Sequence, residues 1–236
     1  MIRFFDIKVV YESKSKDGGP RCVLNLPRLN LEEGARYALI GPNGAGKSTL
    51  IKVLGGLIVP TSGHIEMEGT PSDMGYMPQK PFMFSGTVLH NVMLGLPRNE
   101  KRTSRALDAL GKVGMADFVK ERGSKLSGGE AQRVALARII AQNRSTILLD
   151  EPTSATDIAG ESEVEKALSA YWRESGCTLV FATHSPAQAG RLADEIIVLE
   201  NGVIAEKNEA EQLLENPRNP TVQTFLNYWR LGDRVS

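Results

Sequence analysis

The chain has 236 residues, 41% hydrophobic and 24% charged, which is enough for one large α/β domain and too apolar for a disordered chain. Its 28 Lys and Arg balance 28 Asp and Glu, so bulk charge gives no ground for nucleic acid as a partner. No apolar run reaches the ~20 residues that span a bilayer. Two cysteines and three scattered histidines make neither a disulfide framework nor a zinc site, and fit a reducing cytosol.

The first ten residues lack the apolar core of a secretion signal and read as a strand. Ile2–Tyr11 and residues 21–26 form two strands, joined by the polar, Gly-rich stretch 12–20 as an exposed hairpin loop. Arg36–Ile40 is a short buried strand. It leads into Gly41-Pro42-Asn43-Gly44-Ala45-Gly46-Lys47-Ser48-Thr49, which fits G-x-x-x-x-G-K-[ST]. Glycines let the backbone curl so that N–H groups point at a phosphate chain, and a helix starting near Lys47 adds the positive end of its dipole. Lys47 is placed to reach the β- and γ-phosphates and Ser48 to ligate Mg²⁺. The strand before the loop and the helix over residues 50–57 separate this stretch from a chance Gly-rich turn.

Turn-like Ser62-Gly63 and Glu68-Gly69 bracket a strand at 64–67. Residues 81–124 have a different texture: 91–96, a polar break at 97–103, and Leu107, Leu110, Val113 and Phe118 at helical spacing, together a mostly helical insertion. Grammar of α/β type then returns. A helix at 128–143 precedes a strand at 146–149, and a helix at 160–174 precedes the strand Thr178–Ala182. Strands at 195–199 and 202–206 close the sheet, and 209–214 and 221–229 read as terminal helices. The strand at 146–149 ends in two acids: Asp150 suits the Mg²⁺ shell, and Glu151 is placed to polarise an attacking water. The expected fold is α/β: a P-loop nucleotide-hydrolase core with a mixed sheet, an N-terminal antiparallel β-subdomain and a helical insertion.

Leu126-Ser127-Gly128-Gly129-Glu130-Ala131-Gln132-Arg133 decides among such hydrolases. A Ser and two glycines at a helix start make an anion site. With this stretch the chain resembles the ATP-binding cassette (ABC) ATPases, whose signature is LSGGQ or LSGGE, and the resemblance covers almost the whole chain. It implies a single domain, 1–236, whose core is 1–80 and 143–236 and whose helical subdomain, 81–142, carries the signature. It also implies that Ser127, Gly128 and Gly129 serve the γ-phosphate of ATP held by an opposite subunit. Gln79 matches the glutamine that senses γ-phosphate and Mg²⁺, and His184 the switch histidine at a strand's end. Ser154-Ala155-Thr156-Asp157 stands where the family usually has SALD, so Thr156 departs from Leu. Tyr11 resembles the aromatic that stacks on adenine; Phe4 and Phe5 are rivals, and a plain core aromatic is the other reading.

By the same resemblance, the chain is a cytosolic ATPase motor that binds ATP and Mg²⁺. It sits peripherally on the inner face of the cell membrane, closes as a head-to-tail homodimer on two ATPs, and works with integral-membrane permease subunits and, indirectly, a substrate-binding protein. Phe82 and Phe84, just after Gln79, either line the groove for a permease helix or pack inside the helical insertion. The basic run Arg98, Lys101, Arg102 and Arg105 reads as a solvated face rather than a lipid contact. Within the family the chain looks most like importers of oxyanions such as tungstate, molybdate or phosphate. About 30 residues after the final strand are too few for a further domain. Alternatives are the cassette of another importer or of an exporter, such as one for an amino acid or for lipoprotein release, and a soluble cassette ATPase of DNA repair or translation.

Overall fold

Ile2, Phe4, Ile7 and Val9 all point into the core from one strand, although strict alternation would split them between two faces. Asp6, at φ +49°, supplies the extra residue that resets the phase. The computed structural model describes residues 1–12 and 19–232, so residues 13–18 of the expected hairpin loop lie outside it. In chain order the elements are β1 (Ile2–Tyr11), β2 (Arg21–Leu31), β3 (Arg36–Ile40), α1 (Lys47–Leu54), β4 (Ser62–Met67), β5 (Gly75–Met77), α2 (Val88–Met93) and α3 (Arg102–Lys112). Then follow α4 (Gly128–Gln142), β6 (Thr146–Asp150), α5 (Ile158–Ser175), β7 (Thr178–Ala182), α6 (Pro186–Leu192), β8 (Glu195–Glu200), β9 (Val203–Glu209), α7 (Ala210–Glu215) and α8 (Pro220–Gly232).

The chain forms two compact units, residues 1–72 with 178–236, and residues 73–177. In the first, β2, β1 and β4 make an antiparallel sheet in that order. β2 runs past the expected end at residue 26, through Pro27, because it is an edge strand whose outer side needs no proline N–H. The second sheet of this unit places β3 between β7 and β8, all parallel, with β9 antiparallel on β8. Four of the five residues of β3 and all five of β7 are buried, as strands covered on both faces are. The two sheets are tied where the Asn25 N–H donates to the Gly202 carbonyl at 2.7 Å.

In the second unit β5 pairs in parallel with β6, α4 packs on β5, and α2, α3 and α5 pack on α4. Residues 81–142 hold α2, α3, α4 and two 3-10 turns, with no strand among the described residues, which matches the helical texture of the sequence. Helix α4 is buried nearly all round, at Val134 to Ala137 and at Ile139 to Ala141, so it forms the core of this unit. Asn91, fully buried, ties down the loop before α2: its Oδ1 accepts from the Phe84 N–H at 2.8 Å, and its Nδ2 donates to the Phe84 and Thr87 carbonyls at 3.0 Å. Two elements, β5 and α6, had no sequence counterpart, since three and seven residues carry too little period to register.

Candidate nucleotide site

The phosphate-loop segment belongs to the first unit. After β3, Gly41 adopts φ +139°, and a Cβ there would lie 2.1 Å from the Leu199 carbonyl oxygen, so only glycine fits. Gly46, at φ +107°, caps α1, and its Cβ would sit 2.8 Å from Leu24 Cδ2 and 2.9 Å from the Val23 carbonyl oxygen. Strand β2 therefore backs the loop closely. Asn43 and Gly44 are exposed at the tip, Ala45 is buried, and Ser48 and Thr49 are half-buried in the first turn of α1. Lys47 is only 6% exposed, and its Nζ donates to the Gly41 carbonyl at 2.8 Å and the Pro42 carbonyl at 3.1 Å. A buried ammonium and a helix start converge on one short loop, which is the arrangement that binds anions.

Tyr11 ends β1 with 46% of its surface exposed. Phe4 is fully buried, and Phe5 stacks on His64 at 5.0 Å with the Arg28 guanidinium 5.9 Å from its ring, so both rivals to Tyr11 are engaged elsewhere. His184 follows β7 and is exposed. Its ring lies 6.1 Å from that of Trp229 on α8, tilted by 31°. The sequence carried no signal for that pairing.

The second unit brings Gln79 and Glu151 together. The Gln79 Nε2 donates to Glu151 Oε2 at 2.6 Å, so an amide aligns the carboxylate. Glu151 itself sits at φ +51°, in the left-handed region that costs a non-glycine residue ~1–3 kcal/mol. Gln132, 1% exposed on α4, holds this geometry. Its Nε2 donates to Ser154 Oγ at 3.0 Å, to the Glu151 carbonyl at 3.3 Å and to the Gln79 carbonyl at 3.4 Å, while its Oε1 accepts from the Ala155 N–H at 3.0 Å. Nothing in the signature stretch itself marks Gln132 for this role. The available signal was one amide between the buried apolar turns of α4. Asp150, 4% exposed, ends β6. Burial first, and then the Asp150 charge, push the nearby Tyr76 phenol up to about 12.

At the start of α4, Ser127 and Glu130 form a capping box. The Ser127 N–H and Oγ donate to Glu130 Oε2 at 2.7 and 2.8 Å, and the Ser127 Oγ accepts from the Glu130 N–H at 3.4 Å. Those donors, the backbone one first, hold the Glu130 carboxyl below its usual range. Gly128 and Gly129 lie against the Ser154–Asp157 turn. A Cβ on Gly128 would sit 3.1 Å from Ala155 Cβ, and one on Gly129 would sit 3.1 Å from the Ala155 carbonyl oxygen and 3.3 Å from Thr156 Cγ2. Thr156 donates its hydroxyl to the Thr153 carbonyl at 2.8 Å, and Asp157 caps α5 by accepting from the Gly160 N–H at 2.8 Å. The turn after Glu151 is thus locked to α4 from both ends, through Gln132 and through the signature glycines.

A family model described as ABC transporter matches residues 24–154. The phosphate import ATP-binding protein PstB 2 of Natronomonas pharaonis is 35% identical over 87% of this chain and 81% of its own length. The glutamine transport ATP-binding protein GlnQ of Escherichia coli is 34% identical over 93% and 99%. The tungstate uptake system ATP-binding protein TupC of Peptoclostridium acidaminophilum is 33% identical over 85% and 98%. Among solved structures, a dimeric ATP-binding cassette in a post-hydrolysis state with ADP and Pi superposes with a TM-score of 0.80 at 28% identity, covering 89% of this chain and 99% of that one.

Proposed function

This chain belongs to the ABC transporter family and is an ATPase cassette; from that premise we propose that it is the ATP-hydrolysing subunit of an importer, driving permease subunits from the inner face of a cell membrane. The observation that carries the reading is the phosphate loop, whose Gly41 conformation excludes any side chain and whose Lys47 is buried against the loop's own carbonyls. No described helix is long and apolar enough to cross a membrane, so the translocation path is assigned to partner subunits.

Each residue has a distinct chemical role in this proposal. Lys47 and the N–H groups of Gly44 to Thr49 hold the phosphate chain, with Gly41 and Asn43 shaping the loop, and Tyr11 stacks on the adenine. Glu151, aligned by Gln79, orients and polarises water for attack in line with the γ-phosphate, and His184 contacts that phosphate. Ser127, Gly128 and Gly129, at the positive end of α4, serve the ATP of a second copy, so turnover needs a head-to-tail homodimer. Ser48 and Asp150 are hard oxygen donors and Gln79 adds an amide oxygen, the donor chemistry that Mg²⁺ takes. When bound, the ion supplies charge neutralisation on the β- and γ-phosphates.

For cargo we propose an oxyanion such as phosphate, tungstate or molybdate, delivered to the permease by a substrate-binding protein. The phosphate and tungstate relatives support it; the glutamine relative, of nearly equal identity, favours an amino acid instead. Two measurements test the whole. Glu151→Gln keeps the shape and loses the charge, so it should retain ATP binding, lose turnover and accumulate an ATP-bound dimer on size exclusion. Wild-type turnover would remove Glu151 from the proposed role. In vesicles with the cognate permease and binding protein, stimulation of ATPase by glutamine and not by phosphate, tungstate or molybdate would reject the oxyanion.

A further inference from the structure

Arg21 opens β2 and pairs in register with Tyr11, the last residue of β1. If a side chain is placed on Gly44, at φ +79° on the exposed tip of the phosphate loop, the nearest atom it meets is Arg21 Nη2, at 3.9 Å. The guanidinium therefore stands over the loop tip, and the sheet register sets Arg21 opposite the exposed Tyr11. Lys47 is buried in the same loop, with its Nζ on the Gly41 and Pro42 carbonyls. Two cations of different kinds thus address one loop, a buried ammonium from within and a solvent-facing guanidinium at the tip. No sequence motif marks the second, because its approach depends on how β2 passes the loop.

We propose that Arg21 is a phosphate-chain ligand of the bound nucleotide, clamping the chain at the Gly44 tip with its planar fork. This rests on the nucleotide reading above and adds to it a contact outside the phosphate-loop motif. Guanidinium pairs with phosphate oxygens through two parallel charge-assisted hydrogen bonds, which an ammonium cannot reproduce. Arg21 is exposed at a strand end, so replacing it leaves the core untouched.

Equilibrium titration of the full chain with ADP, inorganic tripolyphosphate and adenosine tests this. Arg21→Ala should bind both ADP and tripolyphosphate about tenfold more weakly, while adenosine binding and the melting midpoint stay as in wild type. Arg21→Lys should recover only part of the tripolyphosphate affinity, since charge returns without the fork. Unchanged ADP and tripolyphosphate binding in Arg21→Ala overturns the proposal. A loss confined to ADP also overturns it, by moving Arg21 to the ribose or base. Lys47→Ala separates the two levels. If it binds both phosphate probes as wild type does, the nucleotide reading fails and this proposal with it. If Lys47→Ala loses them while Arg21→Ala keeps them, the Arg21 proposal alone fails.

Discussion

Gln132→Leu should damage catalysis more than stability. The side chain is 1% exposed, and its amide makes two hydrogen bonds at 3.0 Å and two at 3.3–3.4 Å. A buried polar group left unpaired costs ~1–3 kcal/mol. Gln79, Ser154 and Ala155 are exposed residues, so water can replace the bonds they lose. That leaves the Glu151 carbonyl as the main debit and sets the net cost at ~1–2 kcal/mol. In a chain of this size such a loss lowers the melting midpoint by roughly 2–8 °C. The catalytic loss is larger, because Gln132 holds both carbonyls that position the Gln79–Glu151 pair, and a shift of ~1 Å at a reacting group costs up to ~100-fold in rate. Gln132→Glu keeps the acceptor for the Ala155 N–H but turns an oxygen on the two carbonyls, so it should be worse than Leu in both respects. Calorimetry and steady-state ATPase on the same preparations measure the two effects. A kcat at the wild-type level in a variant whose midpoint has fallen would refute the idea that this amide sets the geometry of Glu151.

Tyr11→Ala should weaken ATP binding by roughly 1–2 kcal/mol, the scale of base–aromatic stacking, and Tyr11→Phe should be silent; equal affinity in all three proteins would remove Tyr11 from the adenine site. Phe82 and Phe84 form an edge-to-face pair with centroids 5.0 Å apart and are 67% and 45% exposed, so replacing both with Ser should leave the melting midpoint and ATPase of the isolated subunit unchanged. In the assembled transporter the same pair of changes should uncouple hydrolysis from transport or release the subunit, and retained coupling would reject a docking role. Asp194 carries an acid-limb prediction. Burial would raise its carboxyl, but its hydrogen bonds and ion pair with Arg36, the shortest at 2.6 Å, outweigh burial and hold it below the usual range. Its stabilisation is therefore present above the unfolded value of ~3.9 and is lost as pH falls through the lowered folded value. Asp194→Asn should melt lower than wild type near neutral pH and converge with it in strong acid, and a constant gap across the titration would refute the assignment.

Contiguous motifs were legible because their geometry is local. Gly41 to Thr49 needs only a strand, the left-handed torsions that glycine permits and a helix start. The Ser127–Glu130 capping box closes within one turn. The strand ends at Asp150 and Ala182, with Glu151 after the first and Thr183 and His184 after the second, were readable for the same reason: a short apolar run stops where the polar residues begin. Sequence order could not decide whether Phe82 and Phe84 were core or surface, since the same pattern suits both. Their exposure follows from Asn91, which holds the Phe84 backbone, and from Arg138, which donates to the Phe82 carbonyl at 3.3 Å.

The sequence by itself determined the family, the phosphate loop, the signature helix and the mixed α/β plan, each written in residues a few positions apart and governed by torsions, caps and period. Tertiary structure alone decided which distant side chains serve them. Gln132 became the hub of Gln79 and Glu151 because α4 packs against both loops. Arg21 came to the tip of Gly44 because β2 backs the phosphate loop, and Trp229 came to His184 because α8 returns across the end of β7. Such contacts depend on the path of whole elements through space, and a buried hydrogen bond or a ring pair between them has no period along the chain.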